Sequence, residues 1–204
     1  MTLKEWISLR LRRQRILTKA QWDSAYSTGH WDYLHRIDES AHYNMILTYC
    51  LEFGGGRQGN LSVLDACCGE GVLVDLLQPA SYQRYVGVDV SEVAIQSAER
   101  KQNLKVSLYR MEVESFTPSG KFSAIVFNEC LYYLADPMKV LRRYEQFLIP
   151  DGVLIVSMYE KKGKDLWRMI EREYSIADEV RVEQKNLAWV VKAIRPRTAS
   201  AISG

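Results

Sequence analysis

The stretch Val63–Leu77, "VLDACCGEGVLVDLL", sets the strongest limit on what this chain can fold into. An apolar run ends in an acidic residue, crosses a turn with two glycines, and resumes as a second apolar run. Glycine accepts left-handed backbone and lets a ligand approach the main chain. The stretch therefore reads as buried strand, tight turn and helix, and the same alternation continues downstream. "LSVLDA", "RYVGVDV", "LKVSLYRM", "FSAIVFN" and "VLIVSM" read as strands. "GVLVDLLQ", "EVAIQSAER", a segment opening at Asp136–Pro137 and one from Asp165 to Tyr174 read as helices. Ser91 suits the cap of the second helix, and a cap followed by proline starts the third. Val140, Leu141, Tyr144, Phe147 and Leu148 give that third helix its apolar face. Strands alternating with helices predict a parallel sheet covered on both faces. "IADEVRV" and "LAWVVKAI" are joined by the short turn "EQKN", which permits an antiparallel hairpin and forbids a helical crossover.

Upstream the character differs. Residues 3–26 read as a helix with an imperfect apolar face, "STGHWDYLHR" as an aromatic and polar loop, and residues 38–53 as a second helix. "GGGRQGN" then breaks the chain. These signals divide it into an N-terminal helical lid or cap segment, 1–56, and a main domain, 57–204. Lys4, Arg10, Arg12, Arg13, Arg15 and Lys19 against Glu5 give residues 1–20 a net charge of +5, so the rest of the chain is net −3. The basic character belongs to one segment, read as a solvated helix face. The body has no stripe of basic and aromatic residues of the kind nucleic acid needs. No apolar stretch reaches the roughly 18–20 residues that cross a bilayer. The N-terminus lacks the apolar run and cleavage site of a secretory signal. Four cysteines make no disulfide framework in a chain of 204 residues, which fits a cytoplasmic protein.

The opening stretch excludes several chemistries. Cys67 and Cys68 are adjacent with no second pair, and the three histidines lie upstream, so neither a zinc site nor a C-x-x-C redox site is expected. No Lys-Ser or Lys-Thr follows Gly71, so it is not a phosphate-binding P-loop. What remains is a ligand site outside the carboxyl ends of the strands. Asp89, 18 positions after Gly71 at the end of the second strand, suits ribose hydroxyls. Asp65 would repel a pyrophosphate and welcome an ammonium. Val74 stands where a dinucleotide turn would want its third glycine. A ligand with an adenosine end and an amino-acid end meets these conditions. Structural readings stay open at this point: Asp65 as a turn cap, Asp89 as a helix cap, Tyr132 and Tyr133 as packing, and the cysteines as small buried side chains.

Taken together, these segments resemble the class I S-adenosylmethionine-dependent methyltransferases. "VLDACCGEG" resembles their glycine-rich first motif, with Cys67 replacing the first glycine. "YVGVDVS" resembles the second, "VSLYRMEVESF" the segment after the third strand, and "FSAIVFNECLYYL" the fourth motif, with Ser123 where aspartate is common. "FLIPDGVLIV" resembles the turn before the fifth strand, with Asp151 replacing a glycine. "ECLYYL" is further similar to the nodulation-factor N-methyltransferases, and "WDSAYSTGHWDYL" to the lid of small-molecule members. The resemblance covers residues 61–194. It implies an α/β, Rossmann-like, mostly parallel seven-stranded sheet with a C-terminal antiparallel hairpin and helices on both faces. It implies S-adenosyl-L-methionine as cofactor, held by Tyr26, Asp65, Ala66, Cys67, Gly69, Asp89, Val90, Glu112, Val113 and Asn128. Glu112 would meet the adenine amino group and Val113 would offer its main-chain N–H.

The expected activity is methyl transfer to a nitrogen or oxygen of a small molecule, such as a sugar or secondary metabolite. Trp22, Tyr26, Trp31, Tyr33 and Tyr43 would form an aromatic lid, whose faces also attract a sulfonium. Trp31, His42, Tyr132 and Tyr133 are the candidate acceptor contacts. A hydroxyl acceptor needs a base within reach, for which Glu129 and His30 are the candidates, with His42 a third. No metal, nucleic acid or membrane is expected as a partner. Two rival functions remain: a nicotinamide-dependent oxidoreductase, which Asp65 and Val74 oppose, and a non-catalytic S-adenosylmethionine-binding subunit.

Overall fold

The computed structural model describes residues 17–78, 82–100 and 104–197. Seven strands form one sheet: β1 Ser62–Ala66, β2 Arg84–Asp89, β3 Val106–Arg110, β4 Phe122–Asn128, β5 Leu148–Tyr159, β6 Tyr174–Gln184 and β7 Leu187–Pro196. Their order is β3-β2-β1-β4-β5-β7-β6. The first five run parallel, and β7 inserts antiparallel between β5 and β6. The helices are α1 Lys19–Ser27, α2 Ile37–Phe53, α3 Val72–Leu77, α4 Glu92–Glu99, α5 Pro137–Glu145 and α6 Glu160–Glu173. The expected fold class therefore holds.

The reasons are local. The central strands β1 and β4 are buried along almost their whole length because helices cover both their faces, and every residue of β1 is buried. Ser91 caps α4 by accepting from the Ala94 amide at 3.2 Å, and Asp136 caps α5 from the Lys139 amide at 3.0 Å. One core gathers Leu64, Val88, Ile125, Phe127 and Tyr144 beneath α5 and α6. The other gathers Ile46, Tyr49, Leu61, Val63, Leu73 and Ile155 beneath α2 and α3.

Three expectations need correction. The helix opening at Pro137 ends at Glu145, so Phe147 and Leu148 lie beyond it, and Leu148 already begins β5. The "PDG" turn is absorbed into β5, with Asp151 at φ 64 and a register shift against β4 between Phe122 and Ala124. The helix expected at Asp165 already begins at Glu160. Of the helix expected over 3–26, the described part is Lys19–Ser27, and the basic face on residues 4–15 lies outside the described residues. The two halves of the 1–56 segment occupy different surroundings. α1 buries no residue completely, whereas α2 puts Ile46, Tyr49 and Cys50 into the sheet core.

Candidate active site

β1, β2 and β4 end together at one edge of the sheet, and the segments that follow them line a cavity of about 920 Å³. That is near the upper end for small-molecule pockets. The turn after β1 supplies its floor. Cys67 sits at φ 67, Gly69 at φ 52 and Gly71 at φ 76. Cys67 thus occupies left-handed backbone that costs a side-chain-bearing residue about 1–2 kcal/mol, which is why glycine suits that position in the resembling motif. The Gly69 amide donates to Asp89 Oδ2 at 2.9 Å, and the Ser91 amide to Asp89 Oδ1 at 2.9 Å. Asp89 therefore fixes the turn while facing the cavity. Burial raises its pKa, against the main-chain hydrogen bonds that lower it. Asp65, also buried, accepts from the Tyr85 hydroxyl at 2.6 Å. Burial pushes its carboxyl up to about 7, although Tyr85 pulls it down.

Val90, Glu112 and Val113 line the side of the cavity beyond β2 and β3. The Val113 carbonyl accepts from the Tyr144 hydroxyl at 2.9 Å, and Arg143 forks onto the Glu114 carbonyl at 2.7 Å and the Thr117 hydroxyl at 2.8 Å. Those contacts from α5 set the course of the loop that carries Glu112 and Val113.

The opposite side is built by Asn128, Glu129, Tyr132 and Tyr133 after β4. Glu129 adopts φ 55, and its Oε2 accepts from the Tyr132 hydroxyl. Burial pushes the Glu129 carboxyl up to about 7; the Tyr132 hydroxyl and the nearby Tyr159 amide oppose this, and Glu39 adds to it. Glu129 Oε1, Asn128 Oδ1 and Trp31 Nε1 are buried without a hydrogen-bond partner. Such atoms cost about 1–3 kcal/mol each, a cost that a polar ligand in the cavity would offset.

The roof comes from α1 and the turn after it. Trp22 stacks on Trp31 at 5.7 Å and meets the Tyr133 ring edge-on at 5.2 Å. Three ties hold this roof down. Asp23 Oδ1 accepts from the Ser91 hydroxyl at 2.7 Å and the Glu92 amide at 2.8 Å. His35 Nε2 lies 3.0 Å from Glu70 Oε2. Tyr26 packs on the turn so closely that a Cβ at Gly69 would meet its hydroxyl at 2.8 Å.

Of the expected site residues, Tyr26, Trp31, Asp65, Cys67, Gly69 and Asp89 line the cavity together with the Val90, Glu112–Val113, Asn128–Glu129 and Tyr132–Tyr133 positions already placed. Three do not. Ala66 is fully buried in the sheet core, because alternate strand residues face opposite sides. His30 is exposed at the end of α1, its ring edge-on to Trp31 at 4.9 Å, outside the cavity wall. His42 is fully buried behind that wall, stacked on Trp189 at 4.6 Å; burial lowers its pKa to about 3, so it stays neutral. Ser123, at the far end of β4, exchanges hydrogen bonds with Ser62 and serves the sheet. Sequence reasoning missed Asp23, Glu39, Lys162 and Trp189. Each reaches the site only through tertiary packing, and no local spacing marks it. Among the described residues, no group of three or more His, Cys, Asp or Glu could hold a metal ion, and no helix is long and apolar enough to cross a membrane.

Comparison with known proteins agrees with this geometry. A family model described as a methyltransferase domain matches residues 35–189. The ubiquinone biosynthesis O-methyltransferase of Escherichia coli O157:H7 is 27% identical over 174 residues, covering 82% of this chain and 68% of that protein. The N-methyltransferase NodS from Bradyrhizobium japonicum WM9, solved with S-adenosyl-L-homocysteine, superimposes with a TM-score of 0.69 at 18% identity, covering 95% of this chain and 99% of NodS. The 1,6-didemethyltoxoflavin-N1-methyltransferase of Burkholderia thailandensis superimposes with a TM-score of 0.70 at 16% identity, covering 97% and 92%. With its glycine-rich turn, its paired strand-end aspartates and a family match over most of its length, this chain belongs to the methyltransferase-domain family, as a class I S-adenosylmethionine-dependent member.

Proposed function

We propose that the chain methylates a nitrogen or oxygen of a small molecule held between Glu129 and the aromatic roof. One observation carries the reading. A single cavity is lined both by the glycine turn with Asp65 and Asp89 and by a buried carboxyl, Glu129, with an unpartnered oxygen. The two sets of residues suit two ligands, a donor and an acceptor, and the cavity volume fits both.

S-adenosylmethionine, when bound, supplies an electrophilic methyl carbon on a sulfonium. Asp65 would hold its ammonium, Asp89 its ribose hydroxyls, and Glu112 with the Val113 amide its adenine. Tyr26, seated on Gly69, would close over it. Trp22, Trp31 and Tyr133 exclude water and align the acceptor, where a misplacement of about 1 Å can cost 10²-fold in rate. Glu129 is the group within the acceptor side that can take a proton near neutral pH. Residues 18–36 act as the lid in this reading, and 37–197, α2 included, as the body. The four cysteines are free, which supports a reducing, cytoplasmic setting.

The test is a thermal shift followed by turnover. S-adenosylhomocysteine should raise Tm and NADH should not; the reverse result overturns the cofactor assignment. Release of S-adenosylhomocysteine from S-adenosylmethionine in the presence of an acceptor then separates an enzyme from a non-catalytic binding subunit.

A further inference from the structure

The acceptor half of the cavity has an uneven charge pattern. Its deep end carries Glu39, 5% exposed, and Glu129, close enough for each charge to be felt by the other. Tyr43, behind them, has its pKa raised by burial, then by Asp65, Glu129 and Glu39. The cations Arg36 and Lys162 stand at its margin, and the Lys162 charge reaches Glu129 and draws that carboxyl's pKa down against burial. Arg36 and Lys162 are both exposed, and the Lys162 ammonium lies 3.3 Å from the Tyr133 hydroxyl and over the Tyr132 and Tyr133 rings at 5.1 and 5.4 Å. Above the carboxyls stand Trp22, Trp31, Tyr33 and Tyr133, with ring separations of 5.2–5.8 Å.

We infer that the acceptor is an amine, bound as an ammonium between the Glu39 and Glu129 carboxyls beneath the rings of Trp22, Trp31, Tyr33 and Tyr133. The inference rests on the methyl-transfer reading above and narrows it to nitrogen. Carboxylates and aromatic faces both attract a cation. The same two features raise the free energy of an oxyanion, which methylation of a phenol or alcohol must develop at this point. An amine needs the opposite treatment: it arrives charged and must lose one proton to expose its lone pair. Glu129 Oε1, buried and without a partner, is the acceptor for that proton. The nitrogen lone pair then forms the C–N bond as the methyl–sulfur bond breaks, with that bond's electron pair staying on sulfur. The product is a neutral thioether and a methylated ammonium, and one proton leaves through Glu129 to solvent. The product cation remains a good partner for the carboxyls until the lid opens.

The titration of Glu129 near neutral pH supports this assignment. Below about pH 7 the carboxyl is protonated and holds an ammonium less well, so amine affinity should fall as pH falls.

The experiment uses the full chain saturated with S-adenosylhomocysteine, whose own binding is measured first by calorimetry. If it does not bind, the methyl-transfer reading fails before any acceptor is added. The probes are 2-phenylethylamine and its oxygen counterpart 2-phenylethanol, titrated up to about 10 mM, where fragment-sized ligands bind. The amine should bind about tenfold or more tighter than the alcohol at pH 8, from the charged hydrogen bond it gains. Its advantage should shrink below pH 7. Glu129→Gln should remove most of the amine advantage and leave S-adenosylhomocysteine affinity within about twofold, because Glu129 is not among the groups assigned to that ligand. Equal or tighter binding of the alcohol, no amine binding at the highest concentration, or unchanged amine affinity in Glu129→Gln would each overturn the inference.

Discussion

Asp23 offers the sharpest test of the lid. Its Oδ1 accepts from the Ser91 hydroxyl at 2.7 Å, from the Glu92 amide at 2.8 Å and, more loosely, from the Val93 amide at 3.5 Å. The carboxylate therefore ties α1 to the first turn of α4, where a negative charge is also favoured by the helix dipole. Replacing Asp23 by alanine removes hydrogen bonds to a charged group, worth about 1.5–3 kcal/mol, plus a dipole interaction of about 0.3–1 kcal/mol. α4 itself should survive, because Ser91 still caps it from within. Global stability should change little, since α1 contains no fully buried residue. The loss falls on lid closure, whose equilibrium shifts by about twentyfold to nearly a thousandfold. S-adenosylhomocysteine affinity drops by the part of that shift that leaves the lid mostly open. Calorimetry should show a loss of about tenfold or more. Limited proteolysis should cut within residues 18–36 at protein concentrations where the parent resists. Asp23→Asn, which keeps an oxygen but not the charge, should fall between. An affinity within twofold of the parent, with an unchanged digestion pattern, would refute the latch.

Binding of S-adenosylhomocysteine should strengthen as pH rises towards 7 and level off above it. Asp65, held at about 7 by burial, must lose its proton to meet an ammonium. Calorimetry in buffers of different ionisation enthalpy should record close to one proton released near pH 6, and Asp65→Asn should abolish that release. Asp89→Ala should weaken the ligand and the fold together, because it strands the Gly69 and Ser91 amides at about 1–3 kcal/mol each; a Tm equal to the parent's would contradict that account. Removal of residues 1–36 should leave far-ultraviolet circular dichroism close to the parent's, since α2 and the sheet remain, while turnover collapses; a truncated chain that methylates at the parental rate would place the acceptor elsewhere.

Most of the fold was legible because its signals are local. The central strands announce themselves as short runs rich in apolar residues, while the largely polar β6 was marked by its turn to β7, and Ser91, Asp136 and Pro137 mark helix starts through their own chemistry. Element ends were harder. Leu148 fits the apolar face of α5 by spacing, yet pairing with Phe122 of β4 claims it for β5. The glycine-turn side of the cavity has a local sequence pattern, since Asp65, Gly69 and Asp89 lie at or just past strand ends in a recognisable order and all line the cavity. Ala66 was misplaced by a single residue of strand alternation. The acceptor side depends on how distant segments meet. His30 and His42 suggested themselves by residue type, but the first projects to solvent and the second is covered by Trp189, more than a hundred positions away in the sequence. Glu39 looked like any acidic residue on a helix until α2 packed beside Glu129.

Asp65 on β1 and Glu129 just past the neighbouring β4 both line the cavity, and burial pushes each carboxyl up. Asp65 and Glu129 have been folded into surroundings that disfavour their charge, so near neutral pH the ligand-free chain carries an electrostatic burden that a cationic ligand relieves. A ligand at a hundredfold excess over its Kd adds about 2.7 kcal/mol of stability, a large fraction of what a domain of this size has in reserve. Because quality-control proteases sample the unfolded fraction, changes of that size alter abundance several-fold.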